Sequence, residues 1–190
     1  MSAFDVVDAG RPVGRFEMHL SPITTGVRMA LDSMSHPLSL LEALCGVGEV
    51  ESPRAVYGEE GDLTLRFQYA PRERYEETKA TEVVARLVRH AAPPRPAGYA
   101  IDGCAVERMI ELPSYEISFV ATIDGRERRQ PVPDPVTALV RDFVEGVASG
   151  RSTDRAALVS GMRGLERLVA AAAAAEPQGR VDTREASASD

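Results

Sequence analysis

Hydrophobic and polar positions alternate over residues 13–20. Phe16, Met18 and Leu20 fall on one side and Arg15, Glu17 and His19 on the other, which predicts a half-buried strand. Residues 21–26, with Pro22, interrupt it, and the period then changes. Over residues 31–46 the apolar positions Leu38, Leu41 and Leu44/Cys45 recur at helical spacing, and Gly46 supplies a natural stop. Pro37 is comfortable only in a first helical turn, so either the helix proper begins near His36 or Asp32 and His36 lie across a bent entry turn. Residues 47–53 read as a loop or the start of a short strand, 54–57 as a sheet segment and 58–62 as an acidic turn. Leu63, Leu65, Phe67 and Tyr69 then alternate with Asp62, Thr64, Arg66 and Gln68, the pattern of another strand.

A charged stretch over 71–79 predicts a surface loop, the valines of 82–89 a strand, and the prolines of 91–98 an exposed connection. Residues 105–112 and 115–123 predict two strands joined at Pro113-Ser114, with Tyr115, Ile117, Phe119, Ala121 and Ile123 on one face. Asp124-Gly125 is a hairpin signal leading into a short strand at 127–130. Beyond residues 131–135, Val136, Leu139, Val140, Phe143, Val144 and Val147 fit a helix of about three turns. Ser152-Thr153-Asp154 offers N-caps for a second helix with Leu158, Met162, Leu165, Leu168 and Val169 as its buried stripe, prolonged by alanines over 170–175. From 176 onward the composition is that of a disordered tail.

The expected organisation is an N-terminal lead (1–12), a single domain (13–175) and a tail (176–190). Strands and helices are segregated rather than alternated, so the class is α+β, an open, mostly antiparallel sheet with helices packed on one face. The other face carries Arg15, Glu17, His19, Arg66, Gln68 and Arg86. It suits either solvent or a second copy, which makes a homodimer through the open sheet face an expectation.

Composition narrows the function. The hydrophobic fraction of 44% and the lack of a long apolar run fit a soluble protein, and Asp5 and Asp8 do not fit a signal peptide, so a cytoplasmic location is expected, with no membrane partner. A net charge of −7 makes nucleic acid an unfavourable partner. Cys45 and Cys104, far apart in sequence, suggest packing rather than a disulfide or zinc site, and the lone histidines His19 and His90 give a metal site little support.

The sharpest candidate chemistry is Asp32 and His36. Four residues apart on a helix, their side chains would project from one face, where a carboxylate fixes the tautomer of an imidazole and raises its basicity. The alternative is an acid that favours the helix start and a histidine that covers the core.

The order of elements resembles the C-terminal domain of the Gfo/Idh/MocA oxidoreductases over residues 13–175. Val13-Gly14-Arg15-Phe16 is similar to that family's first C-terminal strand, and Asp32-Ser33-Met34-Ser35-His36 to its Asp-x-x-x-His. Ala100-Ile101-Asp102-Gly103 is similar to a glycine-bearing turn, and residues 139–146 with the helix from Asp154 to the closing helix pair. The resemblance implies that His36 acts as acid/base on a substrate hydroxyl while Asp32 orients or assists it. It also implies a nucleotide-binding domain that has no counterpart here. No strand, Gly-x-Gly-x-x-Gly and helix occur in succession, and Gly46-Val47-Gly48 follows a helix and lacks the third glycine. The family's Glu-Lys-Pro lysine is also missing, since Lys79 sits in Thr78-Lys79-Ala80. Ser39 stands where an aspartate often follows the histidine.

Three functions follow. The first is a free-standing enzyme that uses His36 and Asp32 on a hydroxy or keto compound (sugar-, polyol- or polyketide-like). It would isomerise, dehydrate or cyclise without bound nicotinamide, with Arg28, Glu17, His19 and Tyr69 as substrate-binding candidates. The second is the substrate subunit of a split oxidoreductase, where NAD(P) enters only with a separate Rossmann-domain subunit. The third is a non-catalytic dimerisation or binding module.

Overall fold

The structure, a computed structural model, describes residues 12–72, 80–132, 135–150 and 154–177. Expectations for residues 1–11, 73–79 (with Lys79), 152–153 and 178–190 lie outside the described residues.

The elements run β1 (Arg15–Leu20), α1 (Val27–Ser33), α2 (Ser35–Cys45), β2 (Gly48–Tyr57), β3 (Leu63–Pro71), β4 (Thr81–Leu87), β5 (Ala97–Ile101), β6 (Cys104–Glu111), β7 (Glu116–Ile123), β8 (Arg126–Val132), α3 (Pro135–Ala148) and α4 (Arg155–Ala175). All eight strands join one sheet in the order β2-β3-β4-β1-β5-β6-β7-β8. Its pairs are antiparallel except β1–β4, so the class is α+β with an open, mostly antiparallel sheet.

Alternation along each strand sets the two faces. Phe16, Val83, Phe67 and Leu65 lie on the side covered by α1, α2 and α4, and with Met29, Met34, Leu41 and Leu168 they form the core. Arg15, Glu17, His19, Arg66, Gln68 and Arg86 occupy the opposite side, as their alternation predicts.

Four expectations are settled or changed. The break that Pro37 leaves open over 31–46 is present, with α1 ending at Ser33 and α2 beginning at Ser35. Pro37 has no N–H to give the Ser33 carbonyl, so the ladder breaks there, although Met34 N still bonds Ala30 O at 3.0 Å and Leu38 N bonds Met34 O at 3.3 Å. Residues 97–101 form β5 and are not part of a connection; only the prolines before them are excluded from the ladder. Tyr115 leaves the strand face for the turn, with φ 58 and an exposed ring.

The fourth concerns α4, whose buried face is Ala157, Ser160, Gly164, Leu168 and Ala172, while Leu158 and Met162 turn outward. Small residues win that face because α4 lies very close to β2: a Cβ on Gly164 would sit 3.0 Å from Val50 Cγ2. The closeness also lets α4 cap the sheet edge. Ser160 Oγ donates to Gly48 O at 2.5 Å and Arg167 Nη1 to Val50 O at 2.7 Å. These β2 carbonyls lie on an edge strand that would otherwise invite pairing with another chain.

Asp154 is the N-cap of α4, its carboxylate accepting from Ala156 N at 2.8 Å and Ala157 N at 3.1 Å. No helix among the described residues is long and apolar enough to cross a membrane.

Leu168→Ala should destabilise the domain by about 2–5 kcal/mol and Asp154→Ala by about 1 kcal/mol, read as urea midpoints. A Leu168→Ala loss no larger than that of the cap variant would show that α4 does not close the core.

Candidate functional site

Arg28, Asp32 and His36 follow one another at i, i+4 spacing through the α1/α2 joint, and all three are exposed. Met29, Ala30, Met34, Leu38 and Leu41 point the other way into the core, so this outward stripe is what burial leaves over. His36 is the second residue of α2 and Pro37 the third, where a proline fits a first turn. Asp32 and His36 therefore straddle the break. Among the described residues neither side chain has a hydrogen-bond partner.

The other named residues lie elsewhere. Tyr69 is buried, and its hydroxyl donates to Gly46 O at 2.9 Å, tying β3 to the end of α2. Its ring also fills the space that a Cβ on Gly48 would need, at 2.6 Å. Tyr69 is a core tie, away from the exposed stripe; its alternation with polar neighbours already marked it as inward-facing.

Glu17 and His19 lie on the uncovered face of the sheet, with the thickness of the sheet between them and the α1/α2 layer. There they line a depression of about 160 Å³ with Arg86 and Glu107. His19 Nε2 stands 3.2 Å from Glu107 Oε2 although their strands are not neighbours. Gly98 lies between them in register, and a Cβ on it would meet both side chains at 2.7 Å. Glycine at 98 is what lets an imidazole and a carboxylate two strands apart touch. The sequence hid this pair because β5 was not legible as a strand. Beside it, Glu17 bonds Arg15 at 2.5 Å, and Arg15 reaches Glu82 at 3.2 Å. The six candidates thus divide into an exposed stripe, a sheet-face cluster and a core tyrosine.

Gly46 and Gly48 do not form a dinucleotide-binding turn. Gly46 ends α2 at φ 82 and Gly48 opens β2, a helix-to-strand passage opposite in sense to the strand-to-helix turn that holds a pyrophosphate. No group of three or more His, Cys, Asp or Glu among the described residues could hold a metal ion. Cys45 and Cys104 are free thiols, and burial pushes the Cys45 thiol up.

No sequence-family profile matches the chain, and no curated protein matches it by sequence. Solved structures do. UDP-N-acetylglucosamine 3-dehydrogenase GnnA from Acidithiobacillus ferrooxidans superposes with a TM-score of 0.57 at 16% identity, over 88% of this chain and 56% of its own. A second crystal form of it gives 0.52 at 18% identity, over 88% and 57%. An oxidoreductase from Thermotoga maritima gives 0.51 at 12%, over 87% and 52%. The fold is that of the Gfo/Idh/MocA C-terminal domain. At these identities the likeness establishes the fold alone. The chain spans about half the length of these oxidoreductases.

Burial first, and the Glu42 carboxylate next, hold the Tyr69 hydroxyl at about 12 against an ordinary 10. Between those values the unfolded chain binds fewer protons than the native one, so Tyr69 contributes stability that is lost as pH rises. The urea midpoint should fall from pH 10 to about 12, and Tyr69→Phe should flatten part of that fall while costing about 1 kcal/mol at neutral pH. An alkaline slope identical in the two proteins would remove Tyr69 from this account.

Proposed function

We propose that this chain is the substrate side of an oxidoreductase whose nicotinamide-binding part is a separate Rossmann-type polypeptide. His36 takes the proton of a substrate hydroxyl, Asp32 orients the imidazole, and Arg28 flanks them. The observation that carries this reading is the exposure of all three side chains on one helical stripe. An acid/base pair in bulk water is a poor catalyst, because solvent competes for the proton and screens every charge. A surface from elsewhere must close over the stripe, and a free-standing isomerase or dehydratase would have to supply that cover itself.

The similar dehydrogenase acts, by its name, at the 3-position of UDP-N-acetylglucosamine, and it contains about as much chain again as this one. A sugar-like secondary alcohol is accordingly the substrate class for which we assign His36. The electron acceptor belongs to the second polypeptide, since the Gly46/Gly48 passage runs from helix to strand and does not form a cradle for it.

The test is to co-express the chain with candidate Rossmann-type nicotinamide-binding proteins and follow nicotinamide reduction with nucleotide-linked sugars and polyols. Activity should require both polypeptides. His36→Ala should lower kcat by about 10²–10⁴ with KM little changed and the complex intact, and Asp32→Asn should lower it less. Turnover by this chain alone would favour the free-standing enzyme. Full activity of His36→Ala, or no complex, would favour the non-catalytic module.

A further inference from the structure

Two apolar surfaces stand apart from the core that α1, α2 and α4 close. The first is on α3. Val140, Phe143, Val144 and Val147 recur at i, i+3, i+4 and i+7, a stripe broad enough to pack on a sheet, yet each is more than half exposed. The second is the core side of β5–β8. Residues paired across neighbouring strands share a face and alternate along each strand, so the side that begins at Phe16 continues to Ile110, Ile117, Phe119, Ile123 and Val132, all half-buried. Phe119 meets Tyr99 edge to face at 6.0 Å and Tyr99 stacks on Phe16 at 6.5 Å, so this surface is continuous with the core. The same side holds Arg108, Arg126 and Arg128, whereas the carboxylates of these strands, Glu107, Glu111, Glu116 and Glu127, fall on the other.

Chain length keeps α3 from lying along its own half-sheet. Strands β8 and β2 are opposite edges, about 34 Å apart at ~4.8 Å per strand. The chain leaves β8 at Val132 and must reach the β2 edge by Arg155, since α4 packs there with Ser160 on Gly48. A helix laid along β6 and β7 gains nothing across the sheet and leaves about 26 Å to cover. Ser149 and Gly150 still fold onto the helix end, their N–H groups donating to Glu145 O at 2.9 Å and Val147 O at 3.2 Å. Residues 151–154 then reach at most about 18 Å. Helix α3 is therefore held as a span between the two edges, with its stripe turned away from its own strands.

We propose that a second copy of this chain supplies the cover, α3 of each copy lying on the core side of β5–β8 of the other. One chain carries both the stripe and a surface to receive it, so two such exchanges close under a single two-fold axis. A partner of another kind would cover one surface and leave the other bare. The signs agree: the sheet side carries three arginines and no strand carboxylate, and α3 carries Asp142 and Glu145 against Arg141. The four α3 side chains expose on the order of 400 Å² of apolar surface, the size of patch that marks an interaction site. Exchanged twice against an equal area of sheet, this buries roughly 1,600 Å² in all, enough for a stable dimer. The interface lies on the opposite side of the sheet from His19 and Glu107 and is independent of the Asp32/His36 reading.

The test is sedimentation velocity of the full chain at micromolar concentration, where the mass should be twice the 20.5 kDa of one copy. Phe143→Glu on the helix and Ile123→Asp on the sheet should each weaken the dimer at least about 30-fold, whereas Glu127→Gln, on the opposite side of the sheet, should leave it unchanged. Phe143 is exposed, so its variant keeps the fold. If Ile123→Asp does not fold, Arg128→Glu, also exposed, takes its place. Mixing the helix variant with the sheet variant should restore a dimer weaker than the original, because one of the two exchanges is then intact. A monomeric wild-type chain overturns the proposal, as does a mixture that stays monomeric. Dimerisation that survives Phe143→Glu overturns it in favour of pairing through the sheets alone, and dimerisation that survives the sheet variant overturns it in favour of α3 pairing with α3.

Discussion

Helix α4 closes the covered half of the sheet, and the remainder of the domain depends on that closure. It buries Leu168 completely in the same core as Phe16 and Leu41, and its small residues let it descend onto β2 until Ser160 and Arg167 reach strand carbonyls. At its end Glu176 turns back to α1, where its carboxylate accepts from Val27 N at 3.3 Å. That contact supplies a cap for a helix whose own N-cap, Gly26, has no side chain to offer. A segment near the end of the described chain thereby fixes the entry to the helices that carry Arg28, Asp32 and His36.

The same closure leaves two surfaces with different chemistry. Over β1–β4 the helices occupy one side, and the outward stripe of α1/α2 is presented to whatever lies beyond. On the uncovered side, arginine and glutamate pairs alternate with His19 across Gly98, a surface of mixed sign. Over β5–β8 the core side carries arginines and aromatic rings, with α3 forming no extensive packing against these strands among the described residues. The exposed stripe of Val140, Phe143, Val144 and Val147 on α3 is accordingly unpartnered within the described chain.

Local pattern was enough for most elements because they bury one side. Strict alternation over 63–69 became β3 with Leu63, Leu65, Phe67 and Tyr69 inward, and Asp124-Gly125 became a hairpin with φ 52 and 71. Pattern failed where burial was two-sided or a neighbour decided. β5 is five residues beside a proline run, too short for a period to show. The apolar stripe read on α4 ignored that β2 lies close enough to demand Gly164 and Ser160, so larger residues such as Leu158 and Met162 were displaced outward. The candidate site was legible only in part: spacing paired Asp32 and His36, but did not show that Arg28 joins their stripe while Glu17, His19 and Tyr69 lie elsewhere.

By itself the sequence determined every strand but β5, the helix content, the α+β class, the break signalled by Pro37 and the polar composition of the second sheet face. These rest on local periodicity and on a proline that lacks an N–H. Only the tertiary structure decided that Tyr69 is a buried tie, that His19 meets Glu107 over Gly98, and that the arginines of β6 and β8 share one side without carboxylates. Each of those depends on which strands become neighbours and in what register, a long-range choice that no local window contains.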